Sequence, residues 1–518
     1  MKSKKLGIFA ILALLFAWSG EQVTADPASA KQKESLAPGK ELFMREWLQG
    51  DKRSHAGDGL GPLFNARSCA ACHNQGGIGG SGPKQNNATI VSAFVQLNAG
   101  PIMITGVGVN HMPDPKKPIK QPDRAKLAEI HPDLRTEGSF PLHRFSTEKE
   151  YTKWKFQALF GSDVDPLIAK NMPELVNVQN MGFGSNISLQ RTRKVDDVDI
   201  TLITSQRNTP ALFGAGLIDH IPDRVLEEVS AEQQRAAEAA TKGQLVALLK
   251  NAVAEVLFPT NELPLAGRVP RLKDGRIGRF GWKAHVATLR EFTLQACSNE
   301  LGLEVPGFHR AAPPWKKDYK APGLDLTNEQ CDQLIRFVAS LPAPTTRPPE
   351  TTQHATEIAA GQKLFASAGC VACHRPKLGN VEGIYSDLLL HDMGQSLSDT
   401  GSYNTNVEIA SNGEVKPLPV SDFGIGQSAT KEKPPKFGAA AREWRTPPLW
   451  GLRDSAPYLH DGRADTVEGA VAAHGGEGQV AAKAFLHLTP RERQQVELFL
   501  QSLTAPTTPT VIPLLPSH

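Results

Sequence analysis

The pentapeptide CAACH occupies residues 69–73, and CVACH occupies residues 370–374. In each, two cysteines three positions apart fall on the same side of a helical turn, and a histidine follows directly. This spacing is typical of covalent haem attachment, because both sulfurs can form thioethers with one haem while the histidine ligates its iron. A thioredoxin-like redox pair or half of a zinc site would not explain the histidine in both places. The sequence therefore predicts two covalently bound haem c groups, on Cys69, Cys72 and His73 and on Cys370, Cys373 and His374.

Other stretches are repeated around the two motifs. GKELF at residues 39–43 precedes the first motif, as GQKLF at residues 361–365 precedes the second. The proline-rich segment TPALFGAGL at 209–217 corresponds to TPPLWGLRD at 446–454. Each half ends in an apolar-periodic helix, at 334–344 and at 496–506, with Thr327 and Thr489 as candidate N-caps.

This repetition predicts a mainly α fold with two cytochrome c-like helical haem domains. Gly (45) and Pro (39) are frequent and alternating β-branched runs are scarce, which indicates helices joined by long irregular loops. At roughly 150 residues per domain, 518 residues should form two or three units. We expect an N-terminal haem domain with insertions at 26–344, a Pro/Thr linker at 345–352, a C-terminal haem domain at 353–506 and a Pro-rich tail at 507–518.

Residues 1–25 have the pattern of a cleaved signal peptide. Lysines at positions 2, 4 and 5 precede an apolar run from Leu6 to Trp18, and Val23-Thr24-Ala25 provides small residues for cleavage. The apolar run is shorter than the roughly 20 residues that a spanning helix needs. We therefore expect a periplasmic protein with no membrane span.

The charge balance argues against a nucleic-acid partner. Lys plus Arg number 57 and Asp plus Glu number 54, and the basic residues form no long cluster. The expected partners are a small periplasmic electron donor or acceptor protein and a small-molecule substrate.

Two cysteines, Cys297 and Cys331, lie outside the haem motifs. In an oxidising compartment such a leftover pair most simply forms a disulfide. A redox-active thiol pair is the alternative, although neither residue belongs to a Cys-X-X-Cys motif that would lower a thiol pKa.

Four longer phrases carry a resemblance to a known family. They are GDGLGPLFNARSCAACHNQGGIGG at 57–80, LFGAGLIDHIPD at 212–223, GRIGRFGWKA at 275–284 and RTPPLWGLRDSAPYLHDGRADTVEGAVAAHGG at 445–476. Together they resemble the bacterial di-haem peroxidases of the cytochrome c peroxidase and MauG type, and above all the branch called di-haem oxidoreductases, sometimes labelled thiol oxidoreductases. A fold does not fix an activity, so the resemblance predicts the haem chemistry more firmly than the substrate.

The resemblance implies an axial ligand for the second haem at His474, where related peroxidases often have Met and the MauG branch has Tyr. Two imidazoles make a closed, six-coordinate site that is suited to electron transfer, with a lower potential than a His/Met site. Met393 is the rival ligand, followed by His391 and His460.

For the first haem, the resemblance implies Glu291 as a distal acid and Trp282 as an aromatic bridge between the haems. Glu291 could instead be a solvated helix residue beside Arg290, and Trp444 and Trp450 are rivals for the bridge. No motif identifies a sixth ligand of the first haem. The possible donors are Met103, His111, His143, Met172, Met181 and His220.

Three functions are consistent with these residues. The first is a peroxidase-like enzyme with a reactive N-terminal haem and an electron-relaying C-terminal haem. The second is an electron-transfer cytochrome without catalysis, and the third is an oxidase of thiols or another reduced substrate. The substrate, the direction of electron flow and the oligomeric state do not follow from the sequence.

Overall fold

The structure, a computed structural model, describes residues 27–96, 124–135, 139–160, 190–195, 198–250, 265–316, 318–399 and 435–506. The predicted signal peptide and Pro-rich tail lie outside the described residues, as do Met103, His111, Met172 and Met181. Within the described ranges, no helix has the length and apolar character needed to cross a membrane.

The α-helices are distributed along the whole described chain. In chain order they are α1 (Pro27–Met44), α2 (Cys69–Cys72), α3 (Arg124–Ile130), α4 (Glu150–Phe160), α5 (Ala215–Asp219), α6 (Asp223–Lys250), α7 (Leu289–Glu300), α8 (Asn328–Ala339), α9 (Thr352–Ser367), α10 (Val467–Ala472), α11 (Gln479–Leu486) and α12 (Pro490–Gln501).

Most strands are short and form two-stranded ladders. In chain order they are β1 (Leu63–Phe64), β2 (Ala88–Gln96), β3 (Ser139–Leu142), β4 (Phe145–Ser146), β5 (Gln190–Val195), β6 (Val198–Arg207), β7 (Thr345–Thr346), β8 (Lys377–Leu378), β9 (Val381–Glu382), β10 (Leu390–Asp392), β11 (Glu443–Arg445) and β12 (Leu503–Thr504). The exception is a four-stranded antiparallel sheet in the order β3-β2-β6-β5.

This sheet corrects the predicted fold class, because the structure is mixed, with 41% helix and 14% strand, and not mainly α. Its central pair runs from Ala88↔Arg207 to Gln96↔Asp199. Ile90, Val91, Ile200 and Leu202 are all buried there, which is the environment that favours β-branched and aliphatic residues in strands. The strand-forming runs lie inside the predicted insertion, where the helical repeat gave no reason to expect a sheet.

The two predicted closing helices are confirmed, together with their N-caps. Thr327 accepts a hydrogen bond from the backbone N–H of Gln330 and begins α8, and Thr489 does the same with Glu492 at the start of α12. In both cases the third residue returns a side-chain bond to the cap backbone, which completes a capping box.

Each closing helix packs against the helix that precedes a haem motif, and the contact occurs at a glycine. A Cβ added to Gly39 of α1 would lie 2.0 Å from the Gln333 carbonyl oxygen of α8. A Cβ added to Gly361 of α9 would lie 1.9 Å from the Gln495 carbonyl oxygen of α12. Only glycine permits backbones to approach this closely, so the repeated glycine marks a repeated helix crossing.

The main hydrophobic core draws residues from both sides of the predicted linker. Phe43, Trp47 and Leu334 from the first half pack in the same cluster as Leu389 and Trp450 from the second. The sheet and helices α3 and α4 enclose a second cluster, and residues of the second half enclose a third. The linker itself contributes β7, which pairs antiparallel with β12.

Candidate haem sites

Both Cys-X-X-Cys-His motifs adopt a single helical turn. In α2, the Ser68 hydroxyl caps the turn by accepting a hydrogen bond from the Ala71 N–H at 3.1 Å. In the second motif, Gly369 with φ of 91° introduces a 3-10 turn over Cys370–Ala372. The chain enters the two turns differently, yet each turn brings its two cysteines to the same side, with the histidine next in sequence.

The histidine of each motif is oriented by a backbone carbonyl. Nδ1 of His73 lies 3.2 Å from the Gly80 oxygen, and Nδ1 of His374 lies 3.0 Å from the Tyr385 oxygen. A carbonyl only accepts, so each Nδ1 carries the proton and each Nε2 keeps the lone pair that can bind a metal. Burial lowers the pKa of both histidines to about 4, which keeps the rings neutral at neutral pH.

Aromatic packing around these histidines is the same in both halves. The rings of Phe43 and His73 are 6.4 Å apart at 48°, and those of Phe365 and His374 are 6.4 Å apart at 49°. Each phenylalanine also contacts one on the closing helix, Phe337 or Phe499, at a centroid distance of 5.4 Å in both cases. The packing around the first motif histidine is therefore reproduced at the second, and we call this shared arrangement the local frame of the motif.

The proline-rich turns support these frames. The Leu212 N–H donates to the Gly79 carbonyl at 2.7 Å, and the Leu449 N–H donates to the Ile384 carbonyl at 3.1 Å. Each acceptor directly precedes the residue whose carbonyl orients the motif histidine. Gly214 and Gly451 then take left-handed conformations, with φ of 68° and 71°, so the two turns also share their backbone shape.

A cavity of about 610 Å³ lies between the second motif and the proline-rich turns. Its volume falls within the range of about 300–1,000 Å³ that encloses small-molecule ligands and cofactors. Most of its lining is apolar, and both halves of the chain contribute. The candidate haem residues on its wall are Cys370, Cys373, His374 and His474.

His474 follows α10 and presents a second imidazole to this cavity. Its Nδ1 donates to the Ala470 carbonyl at 2.8 Å, one turn earlier, so its Nε2 also keeps a free lone pair. Burial lowers the pKa of His474 below its ordinary value. The cavity therefore brings together two neutral, oriented imidazoles, His374 and His474.

The rival ligands occupy different surroundings. Met393 lines the same cavity, and a Cβ added to Gly478 would lie 3.1 Å from Met393 Cε and 3.2 Å from His474 Cβ, so the two candidates are neighbours. His391 has both ring nitrogens within hydrogen-bonding distance of carboxylates. His460 stacks on Trp444 at 3.7 Å and lies 3.4 Å from Asp399.

Two buried arginines on the cavity wall indicate the chemistry of its occupant. Nη1 of Arg445 and Nε of Arg279 have no hydrogen-bond partner among the described residues. Buried donors are rarely left unpaired, and a guanidinium pairs best with a carboxylate. A haem carries two propionate carboxylates, which the two arginines could bind. The cysteines could bind its vinyl groups and the imidazoles its iron, so the residues around the cavity fit a haem.

Part of the chain that contributes to this cavity matches a known protein family. Residues 414–503 match a family model described as "Di-haem oxidoreductase, putative peroxidase". The methylamine utilization protein MauG of Methylorubrum extorquens is 30% identical over 30% of this chain and 37% of its own. Cytochrome-c peroxidase IdrP2 of Denitromonas iodatirespirans is 28% identical over 30% of this chain and 42% of its own. The resemblance to the di-haem oxidoreductases is confirmed.

The family match is local. The alignments span about two-fifths of the length of these curated relatives. A solved structure of hydrazine synthase from Kuenenia stuttgartiensis, pressurised with xenon, aligns with 78% of this chain at 15% identity and a TM-score of 0.29. Similarity at that level does not identify the fold of this chain.

Glu291 lies in the first turn of α7. Its Oε1 is 2.8 Å from Nη1 of Arg276, and its side chain is 32% exposed. Its neighbour Phe292 lines the cavity, whereas Glu291 does not. The distal-acid role of Glu291 stays a prediction.

The described sixth-ligand candidates of the first haem each contact a backbone carbonyl through one ring nitrogen. His143 is buried, with its Nε2 3.0 Å from the Asn299 carbonyl oxygen. His220 is exposed, with its Nδ1 2.6 Å from the Gly216 carbonyl oxygen. Neither residue lines the cavity.

All three candidate bridging tryptophans line the cavity, but their surroundings differ. Trp282 donates its Nε1–H to the Asn208 carbonyl at 2.8 Å, and its own carbonyl accepts from the Arg445 N–H at 3.1 Å. Trp444 has the ammonium of Lys283 over its ring at 3.6 Å. Trp450 packs in the main core.

The expected disulfide between Cys297 and Cys331 is wrong, since both residues are free and fully buried in the structure. They lie on the packed helices α7 and α8 and fill the main core as small apolar residues. Burial raises the pKa of Cys297 well above its ordinary value and that of Cys331 to about 11. The redox-active alternative is therefore also disfavoured, because it would need thiolates.

Sequence reasoning missed several charged residues of the site. Arg279, Lys283 and Arg445 lie in phrases that carried the family resemblance, but no local pattern distinguished them from surface charges. The useful signal was a basic residue close to aromatic residues, in the phrases GRIGRFGWKA and REWRTPPLW.

Proposed function

We propose that this chain is an exported, peroxidase-like oxidoreductase with two covalently attached haem c groups. Cys69, Cys72 and His73 would hold the first, and Cys370, Cys373 and His374 would hold the second, with His474 as its other axial ligand. The observation that carries the proposal is the cavity that presents His374 and His474, each held through Nδ1 by a backbone carbonyl.

The repeated geometry supports two attachment sites in two cytochrome c-like units, at 26–344 and 353–506, joined by the linker at 345–352. The helix crossing, the aromatic packing and the orientation of the motif histidine recur in both halves. Burial raises the pKa of Cys69 and Cys72 to about 12 and that of Cys370 to about 11, so these thiols are poor candidates for free thiolate chemistry. Their buried sulfurs suit a permanent thioether.

When bound, a haem supplies reversible one-electron exchange and, where an axial position is open, a binding place for a small oxidant. At the second site His374 and His474 would both bind the iron, so the group held there would exchange electrons and would not bind substrate. Imidazole in place of thioether favours the oxidised iron and lowers the potential. The second site would then relay electrons.

At the first site Glu291 would manage protons. The Arg276 guanidinium occupies its Oε1, which leaves Oε2 to take a proton from peroxide and return it as the O–O bond breaks. Reduction of one peroxide to two waters consumes two electrons and two protons. A small electron-carrier protein would supply the electrons through the second site.

Trp282 would shorten the electron path between the sites. Its side chain is anchored to Asn208, beside the first proline-rich turn, and its backbone to Arg445, beside the second. Because residues of both halves hold Trp282 in place, its ring would be a rigid intermediate site for electron transfer between the two haems.

A second candidate is plain electron transfer without catalysis. It is favoured by the position of Glu291, which is ion-paired with Arg276 and does not line the cavity. A spectroscopic titration of the holoprotein with cyanide and then peroxide separates the two. Under the peroxidase proposal one haem of two responds, and if neither responds the protein is an electron carrier.

A further inference from the structure

A buried group of charged side chains lies next to Cys373 of the second haem motif. It consists of Asp387, His391 and Glu477, which we call the charge triad. His391 is 1% exposed and Asp387 is 0% exposed. His391 and Glu477 also line the cavity, and His391 Nδ1 lies 3.8 Å from the Sγ of Cys373.

The hydrogen bonds fix the protonation of the triad. Nε2 of His391 is 2.9 Å from Asp387 Oδ2, and Nδ1 is 2.7 Å from Glu477 Oε2. Ionised carboxylates only accept, so both ring nitrogens must donate, which makes the ring an imidazolium. Burial alone would lower the pKa of His391, but Asp387 beside it holds the pKa well above its ordinary value.

Further hydrogen-bond donors contact both carboxylates. Asp387 accepts from the Gln233 side chain at 2.8 Å and from the Leu389 N–H at 3.0 Å. Glu477 accepts from the backbone N–H groups of Ala266 at 3.0 Å and Asp392 at 3.3 Å. Two carboxylates and one imidazolium leave the triad with a net charge of −1.

The neighbouring charges include one cation without a carboxylate partner among the described residues, Arg445 on β11, whose Nη1 is assigned above to a carboxylate of the haem. The ion pairs closest along strands β10 and β11 are Arg268 with Glu443 and Arg442 with Asp392, and each is balanced within itself. Gln233, which reaches the triad from α6, is neutral and also donates to the Ala372 carbonyl inside the haem motif. The triad is thus a fixed negative charge in a low-dielectric setting, attached to the motif by hydrogen bonds.

The same residues make a poor metal site. Cys373, Asp387 and His391 place donor atoms within 4.8 Å of one another. The sulfur of Cys373 is needed for the thioether, however, and neither ring nitrogen of His391 has a lone pair left for an ion.

We propose that the charge triad lowers the reduction potential of the second haem. The proposal rests on the function proposed above, because it requires a haem on Cys370 and Cys373. Oxidation of the iron adds one positive charge, and a nearby buried negative charge stabilises that state more than the reduced one. The triad acts through the field at the haem and not by ligation, so its three members are positioning residues.

The test is a spectroelectrochemical titration of the full-length di-haem protein and its Glu477→Gln variant. Glutamine keeps the shape and an acceptor oxygen for His391 but removes the net charge of the triad. We expect the equilibrium for reduction of the low-spin haem to shift at least tenfold toward the reduced state, about 59 mV for a one-electron couple. Haem content and the low-spin spectrum should not change.

Glu382→Gln is the matched control, since it removes the same charge from an exposed residue of β9 in the same half. Solvent and salt screen that charge, so the equilibrium constant for reduction of the low-spin haem should change less than twofold. A shift for Glu477→Gln that is no larger than for Glu382→Gln would overturn the proposal.

Glu477→Asp keeps the charge of the triad, so the reduction potential of the low-spin haem should stay close to that of the wild type. If both triad variants lose the second haem, the cluster only holds the fold and the proposal is wrong. If the wild-type chain carries no haem on the second motif, the proposed function itself fails, and haem content alone reveals that outcome.

Discussion

The two Cys-X-X-Cys-His segments share a local frame but not their surroundings. The first packs on the main core, and its described sixth-ligand candidates, His143 and His220, do not line the cavity at the second motif. The second opens into a cavity with another imidazole, two unpaired arginine nitrogens and a buried charge triad. A pentapeptide can therefore specify where a haem is attached, whereas ligation and potential depend on residues from distant parts of the chain.

The largest expected effect is on the number of haems that are covalently attached to the two segments. Cys72→Ala should reduce the covalent haem from two per chain to one, and Cys373→Ala should do the same at the other site, because each haem needs its thioether. Pyridine haemochrome assays on denatured protein measure the count. Cys331→Ala is the control, a buried cysteine outside both motifs that should keep two haems. Release of haem from the denatured wild type into acid acetone would contradict covalent attachment.

Ligation is the next point at which the two sites should differ. His474→Gly should open the second iron and convert part of its low-spin signal to high-spin, since one of its two imidazoles is lost. Electron paramagnetic resonance and visible spectra report the change. Met393→Ala, a neighbour on the same cavity wall, should leave the spin state unchanged. The opposite pattern would identify Met393 as the ligand.

Reactivity should belong to the first site alone. Glu291→Gln should slow the reaction with peroxide by about 10²- to 10⁴-fold, the usual contribution of a positioned acid or base, while both resting spectra stay nearly intact. Stopped-flow mixing measures the rate. Glu329→Gln, an exposed first-turn glutamate of α8, is the matched control and should react at the wild-type rate. Equal rates for Glu291→Gln and wild type would mean that another residue is the acid.

The smallest expected effect concerns the path between the sites. Trp282→Phe should slow inter-haem electron transfer by about tenfold, equivalent to about 1.4 kcal/mol in the barrier. Trp444→Phe should change it less, because the Lys283 ammonium over the Trp444 ring opposes its oxidation. Pulse radiolysis of the half-reduced protein follows the transfer. A larger effect for Trp444→Phe would reverse the assignment.

Sequence reasoning succeeded where the determinants are local or repeated. The capped helices α8 and α12 begin at capping boxes whose residues lie within three positions of one another. Haem attachment at the two motifs stays a prediction. The sheet was missed because its central strands, β2 and β6, are about a hundred residues apart in sequence. The triad was missed for the same reason, since His391 contacts Glu477 and Asp387 contacts Gln233, and both partners come from distant parts of the chain.

The pairing of β7 with β12 has a consequence for the order in which the chain folds. The linker residues Thr345 and Thr346 pair with Thr504 and Leu503, and the Arg347 N–H donates to the Ser502 carbonyl at 2.8 Å. A chain that emerges N-terminus first, from a ribosome or a translocation pore, must expose this unpaired edge until the last helix follows. At ~5–20 residues per second that delay is on the order of ten seconds. We therefore expect the linker strand β7 to pair with β12 last, after both histidine-bearing turns have had time to form.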